Sequence, residues 1–116
     1  MRIHNLFEDD AGVSHFRDIE VEWGESRQSN KFSARQAASG IVFRETTKDY
    51  IVDWHPAPRR QYVINLDSAA HITAGDGETR FIGPGEVVLV EDTTGKGHIS
   101  NFVGGAMRRS IFVALD

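Results

Sequence analysis

Two histidines and a glutamine, His55, Gln61 and His98, are the residues of this chain whose types offer the most specific chemistry. Imidazole nitrogens bind most first-row transition metals, and an amide carbonyl adds a neutral oxygen donor. Three such donors brought together by a β-fold would make a small metal site with open coordination positions, the arrangement small-molecule chemistry needs. Kept apart, each has an ordinary role. His55 would be a satisfied core or rim histidine, Gln61 would bond a neighbouring strand, and His98 would cap the turn Gly95-Lys96-Gly97.

The elements that must position them read as strands. Short apolar runs recur between turn signals, with 11 glycines and 3 prolines as punctuation. Strands are predicted from Phe16 to Trp23, Gly40 to Thr47, Tyr50 to Trp54, Gln61 to Leu66, His71 to Ala74, Glu78 to Ile82, Glu86 to Val90, His98 to Val103 and Met107 to Leu115. Turns fall at Asn65-Leu66-Asp67-Ser68, Gly75-Asp76-Gly77, Gly83-Pro84-Gly85 and Val103-Gly104-Gly105. Only Asn30 to Ala38 is suited to a helical turn. Many short, evenly spaced strands predict an all-β sandwich, jelly roll or small barrel. Residues 1–39 are less regular and read as an N-terminal arm with one or two strands, packing on a barrel core of residues 40–116 or on a neighbouring subunit.

Composition narrows the classes. A chain of 116 residues is the size of a single domain. Its net charge of −4 and its two isolated basic pairs, Arg59-Arg60 and Arg108-Arg109, argue against a nucleic-acid partner. The absence of cysteine excludes disulfides, thiolate metal sites and thiol nucleophiles. The polar opening Met1-Arg2-Ile3-His4-Asn5 lacks a signal-peptide apolar stretch, and no window reaches the ~20 apolar residues of a membrane span. A cytoplasmic location is therefore expected. No serine sits in a nucleophile elbow, and no helix is predicted to follow the glycine-rich turns, so neither a serine triad nor a phosphate loop is present.

From Asp53 onward the chain resembles the cupin superfamily. In that family's first motif His55 stands at the first histidine, Ala57 at the second, Gln61 at the glutamate and Ser68 at the closing glycine. In the second motif Gly85 stands at the start, Gly95 at the inner glycine and His98 at the histidine. Thr93 replaces a proline after two extra residues, and Asn101 falls one position before the family's asparagine. Over nearly its whole length the chain also resembles a group of short bacterial cupin-domain proteins that carry the Asp-Trp-His-Pro-Ala-Pro-Arg-Arg-Gln and Glu-Asp-Thr-Thr-Gly-Lys-Gly-His segments. The resemblance implies an all-β double-stranded β-helix, the cupin jelly-roll barrel, with an N-terminal arm. It also implies one divalent transition metal (Zn, Fe, Ni or Cu) held by His55, Gln61 and His98. Most metal-binding cupins use three histidines and a glutamate; here Ala57 removes one ligand and Gln61 replaces a charged one, so a vacant polar pocket is the competing expectation.

Side chains around this frame have weaker roles. Arg59, Tyr62 and Phe102 are the candidates for contacting a substrate, Arg59 because a guanidinium grips a carboxylate in two places. Against this, Arg59 and Arg60 would cover the barrel mouth or pair with Glu91 and Asp92, themselves expected to be solvated, the alternative being a general base or an extra ligand. Trp54, Tyr62, Phe43, Phe81, Phe102 and Phe112 are expected first in the core. His4, His15 and His71 are weaker candidates: His71 is expected to face solvent, and His15 to serve at the surface or in a subunit contact. Two function classes follow: a metal-dependent enzyme (dioxygenase, isomerase or lyase type) acting on a small oxygen-rich or carboxylate-bearing metabolite, or a non-catalytic module that binds or senses a small ligand. A homodimer is expected, because the edges of small jelly rolls need covering.

Overall fold

The computed structural model describes residues 1–47, 50–102 and 107–116, with the side chains of Tyr50 and Phe102 excepted. Twelve strands and, among the described residues, no helix make up the fold. They are β1 (Arg2–Glu8), β2 (Ser14–Glu20), β3 (Glu25–Arg27), β4 (Asn30–Phe32), β5 (Gly40–Thr46), β6 (Tyr50–His55), β7 (Gln61–Asn65), β8 (Ala70–Thr73), β9 (Thr79–Ile82), β10 (Val87–Val90), β11 (His98–Phe102) and β12 (Arg108–Ala114). Among the described residues, no helix is long and apolar enough to cross a membrane.

One sheet has six strands in the order β2-β1-β10-β7-β12-β5, and a second has four in the order β6-β11-β8-β9. They face each other across a core to which the first sheet gives Leu6, Phe16, Val88 and Val90 and the second gives Ile72 and Ile82. No backbone ladder joins the two among the described residues, so the architecture is two facing sheets rather than a barrel closed by hydrogen bonds.

The run Val87-Val88-Leu89-Val90 is apolar at every position because β10 is buried on both faces. Val88 and Val90 point into the gap between sheets, while Val87 and Leu89 join Ile3 in a second cluster. Parallel pairing with β1 (His4↔Val88) and antiparallel pairing with β7 (Val88↔Val63) place it centrally.

Eight of the nine expected strands lie within about two residues of their predicted bounds, and the ninth, Phe16 to Trp23, starts at Ser14 and ends three residues early. The part of the expected strand and turn at residues 103–106 lies outside the described residues. Two expectations are corrected. Asn30–Ala38 holds no helical turn; its first residues form β4, closed onto β3 through Gln28 and Ser29 at φ 49° and 66°. The start of the arm is not irregular either: β1 is an internal strand of the large sheet, between β2 and β10.

Candidate functional site

His55 and His98 are direct cross-strand partners on β6 and β11. Their ring centroids lie 4.5 Å apart at an interplanar angle of 55°. The register shifts between His98 and Ser100, a bulge that re-aims the start of β11. Gly97, at φ 83°, makes the close approach possible. Behind it, Ser14 donates its hydroxyl to the Gly97 carbonyl at 2.7 Å and accepts the Gly75 N–H at 2.7 Å. The preceding turn hangs on Glu8, whose carboxylate accepts the Thr94 hydroxyl (2.6 Å), the Thr94 N–H (3.0 Å) and the Gly95 N–H (2.9 Å). These bonds, the Thr94 hydroxyl foremost, hold the Glu8 carboxyl below its ordinary value.

Hydrogen bonding selects one tautomer for both rings. The Nδ1–H of His55 donates to the Asp53 carbonyl at 2.8 Å. The Nδ1–H of His98 donates to the Asp92 carboxylate at 2.6 Å. Each neutral ring then carries its lone pair on Nε2. An imidazole oriented by a carbonyl or carboxylate on its far nitrogen is the usual supporting arrangement of a metal ligand. Asp92, expected to be solvated, is fully buried, and its Oδ1 has no hydrogen-bond partner among the described residues.

Gln61 starts β7 on the opposite sheet and is 8% exposed. Alternation sends Gln61 and Val63 toward the gap between sheets and Tyr62 to the outer face. His55, Gln61 and His98 therefore line one cavity of about 190 Å³. Val52, Val63, Ile72, Val90 and Phe112 give it largely apolar walls, with Ser100 as a further polar group.

Two charged lining residues were not foreseen. Arg44 on β5 and Arg108 on β12 enter the cavity because Ser110 stands opposite both Arg44 and Asn65 in the ladder. Arg44 Nε donates to the Ser110 hydroxyl at 3.1 Å, and its guanidinium lies 4.6 Å from the centroid of the Phe112 ring. Arg108, 4% exposed, donates Nε–H to Asn65 Oδ1 at 2.9 Å. Asn65 is itself fixed by donating to the Ser68, Ile82 and Gly83 carbonyls. No aspartate or glutamate among the described residues lines the cavity.

Of the candidate substrate contacts, neither Tyr62 nor Arg59 lines this cavity. Tyr62 gives its hydroxyl to Gln36 at 2.7 Å on the outer face of the large sheet. Arg59 is exposed beside an adjoining hollow near Ile41 and Val42, which shares Pro58, Gln61 and Phe112 with the cavity. The Phe102 side chain lies outside the described residues. Arg60 pairs with Glu91 at 2.9 Å. Phe43 and Phe81, expected in the core, are 74% and 61% exposed because each lies on the outward side of an edge strand. His71 is exposed against Phe81, and His15 sits at the surface between Asp9 and Asp76. His4 is buried, bonded to Glu86 at 2.9 Å and Arg80 at 3.1 Å. Among the described residues, no three His, Cys, Asp or Glu side chains converge on one point.

No family model matches the chain, and no curated protein matches it. Among solved structures, a conserved protein of unknown function from Streptococcus pyogenes is similar over 72% of this chain and 70% of its own, with 19% identity and a TM-score of 0.49. A Salmonella typhimurium LT2 protein assigned to ethanolamine utilization (protein Q) is similar over 99% of this chain and 95% of its own, with 12% identity and a TM-score of 0.44.

Proposed function

We propose that this is a small cupin with a degenerate metal centre, in which His55, His98 and Gln61 hold one divalent transition metal in the cavity for a small oxygen-rich or carboxylate-bearing molecule. The carrying observation is the opposed histidine pair, each with Nδ1 committed to an oxygen and Nε2 left as the basic nitrogen. The buried Gln61 amide lining the same cavity adds the third donor. Two imidazoles and a carbonyl oxygen suit Zn, Fe, Ni or Cu better than a hard cation such as Ca or Mg. When bound, such an ion supplies Lewis-acid or oxygen-activating chemistry of the dioxygenase, isomerase or lyase kind. The chain's own part is to fix the two rings, exclude water with apolar walls and orient the molecule.

The test is metal content after purification and reconstitution, compared with His98→Ala. About one equivalent is expected in the wild type, and little in the variant. No metal in either protein overturns the metal reading. The second reading, binding without turnover, is favoured by the lack of a carboxylate base among the described cavity walls. Metal or ligand uptake with no product formed supports it.

The same proposal makes the protein a homodimer. β5 is an edge strand whose Ile41, Val42 and Phe43 are exposed on both of its faces.

A further inference from the structure

We infer that two copies of this chain join through β5 in a single register, antiparallel about a two-fold axis at Val42. Val42 of one protomer then faces Val42 of its partner, and Ile41 faces Phe43. The inference rests on the homodimer reading above and adds the register and the reason that pairing stops at two copies.

Sheet edges in soluble proteins are shielded against further pairing. Three of the four described edges of the two large sheets are shielded in this way. β2 carries Arg17, Asp18 and Glu20. β9 has four residues and includes the ion-paired Arg80. β6 meets a register shift opposite His98 and Ser100. β5 is the exception. It pairs with β12 over seven residues without a bulge and holds no proline or lysine. Ile41, Val42 and Phe43 stand exposed along it at 58%, 56% and 74%.

The occupant follows from the rows of side chains that cross the six-stranded sheet. On the face turned to the core, Val63, Phe112 and Val42 stand in one row. On the outer face Ile64, Ile111 and Phe43 form a second row, and Tyr62, Val113 and Ile41 a third. Each row ends at β5 on an exposed apolar side chain. A second β5 centred on Val42 prolongs all three rows with apolar partners, the pairs that stabilise a sheet. Arg44 then lies beside Gly40, which has no side chain to crowd it.

Other registers match less well. Centring on Phe43 sets Val42 beside Arg44 and Ile41 beside Glu45. Centring on Ile41 leaves Phe43 beside Ser39 and Val42 beside Gly40. A slip of one residue sets core-face side chains of one protomer against outer-face side chains of its partner. The contact at Val42 is isologous and uses the unshielded edge of both protomers, so assembly closes at two. Gly40, Ile41 and Val42 line the hollow adjoining the cavity, which puts the partner strand at the rim of the candidate site.

The chain has no cysteine, so single cysteines report the register directly. The wild-type mass in solution is measured first. Val42→Cys, Ile41→Cys and Phe43→Cys, all at exposed positions of the full-length chain, are then oxidised mildly at micromolar protein. Directly opposed residues of antiparallel strands have α-carbons about 4.5–5.5 Å apart, within disulfide range, whereas a two-residue offset of about 7–8 Å lies beyond it. Val42→Cys is expected to cross-link at least about tenfold more than either neighbour alone. Ile41→Cys and Phe43→Cys are expected to cross-link with each other when mixed, a test that leaves Val42 untouched. A dimeric wild type with no cross-link in Val42→Cys and none in the mixture overturns this register while the homodimer stands. So does Ile41→Cys or Phe43→Cys cross-linking alone as readily as Val42→Cys. A monomeric wild type overturns the homodimer itself.

Discussion

A β-carbon placed on Gly97 would lie 1.8 Å from the carbonyl oxygen of His55. The strand carrying one histidine thus meets the end of the strand carrying the other with no room for a side chain between them.

Gly97→Ala should therefore move the two rings apart. The positive φ alone costs about 1–2 kcal/mol in a residue with a β-carbon, and the backbone clash adds to it. The expected outcome is a loss of at least about 2 kcal/mol of stability with weaker metal uptake. Chemical denaturation and metal titration on the same variant measure both, and a wild-type result in each would refute the packing argument.

Asp92→Asn keeps the size of the side chain but removes the charged acceptor of the His98 Nδ1 proton. Metal affinity should fall about 10–100-fold, the range seen when the group behind a ligating histidine is lost. Competition with a coloured chelator gives the number. Unchanged affinity would mean that Asp92 only fills space.

His15 bridges Asp9 and Asp76 at 2.8 and 2.9 Å, and these carboxylates, Asp9 first, raise its pKa above the ordinary histidine value. Because the folded value is the higher one, the bridge stabilises fully below the unfolded histidine pKa of about 6.5 and is lost as pH rises through the folded value. The melting-temperature difference between wild type and His15→Asn should accordingly be largest near pH 6 and shrink on alkalinisation. A difference that grows with pH would reverse the assignment.

Phe43→Lys should leave the monomer's own packing nearly untouched, since the ring is mostly exposed on an edge strand. Placed in the proposed interface, the charge should shift the mass in solution from dimer to monomer at micromolar protein. A wild-type protein that runs as a monomer at the same concentration would end the dimer proposal.

The strands that place His55, Gln61 and His98 were legible because apolar runs and glycine turns report strand period locally. β1 was not, since Arg2-Ile3-His4-Asn5-Leu6 buries His4 and Asn5, polar residues that break alternation; their burial depends on Arg80, Glu86, Glu91 and Leu89, all far along the chain. Arg44 and Arg108 were hidden for a related reason. Each sits in an ordinary strand segment, and only the ladder register of β5, β12 and β7 brings them to the cavity. Asp92 looked like a turn-flanking surface acid, and nothing local announces that it closes beneath His98. Residue type revealed the ligand candidates; long-range pairing decided what surrounds them.

The parallel ladder between β1 and β10 also sets an order of events during synthesis. β1 leaves the ribosome first and can zip locally onto β2, its antiparallel neighbour. Its other edge must wait for residues more than eighty positions later, as the Asn5–Leu89 bond at a separation of 84 shows. Until then the growing chain carries an open strand edge flanked by apolar side chains, and closing so distant a pair is slow. Until Val90 has been added, that edge has no native partner to cover it. A destabilised β10 would reveal itself first as poor yield from the ribosome rather than as a lower melting temperature.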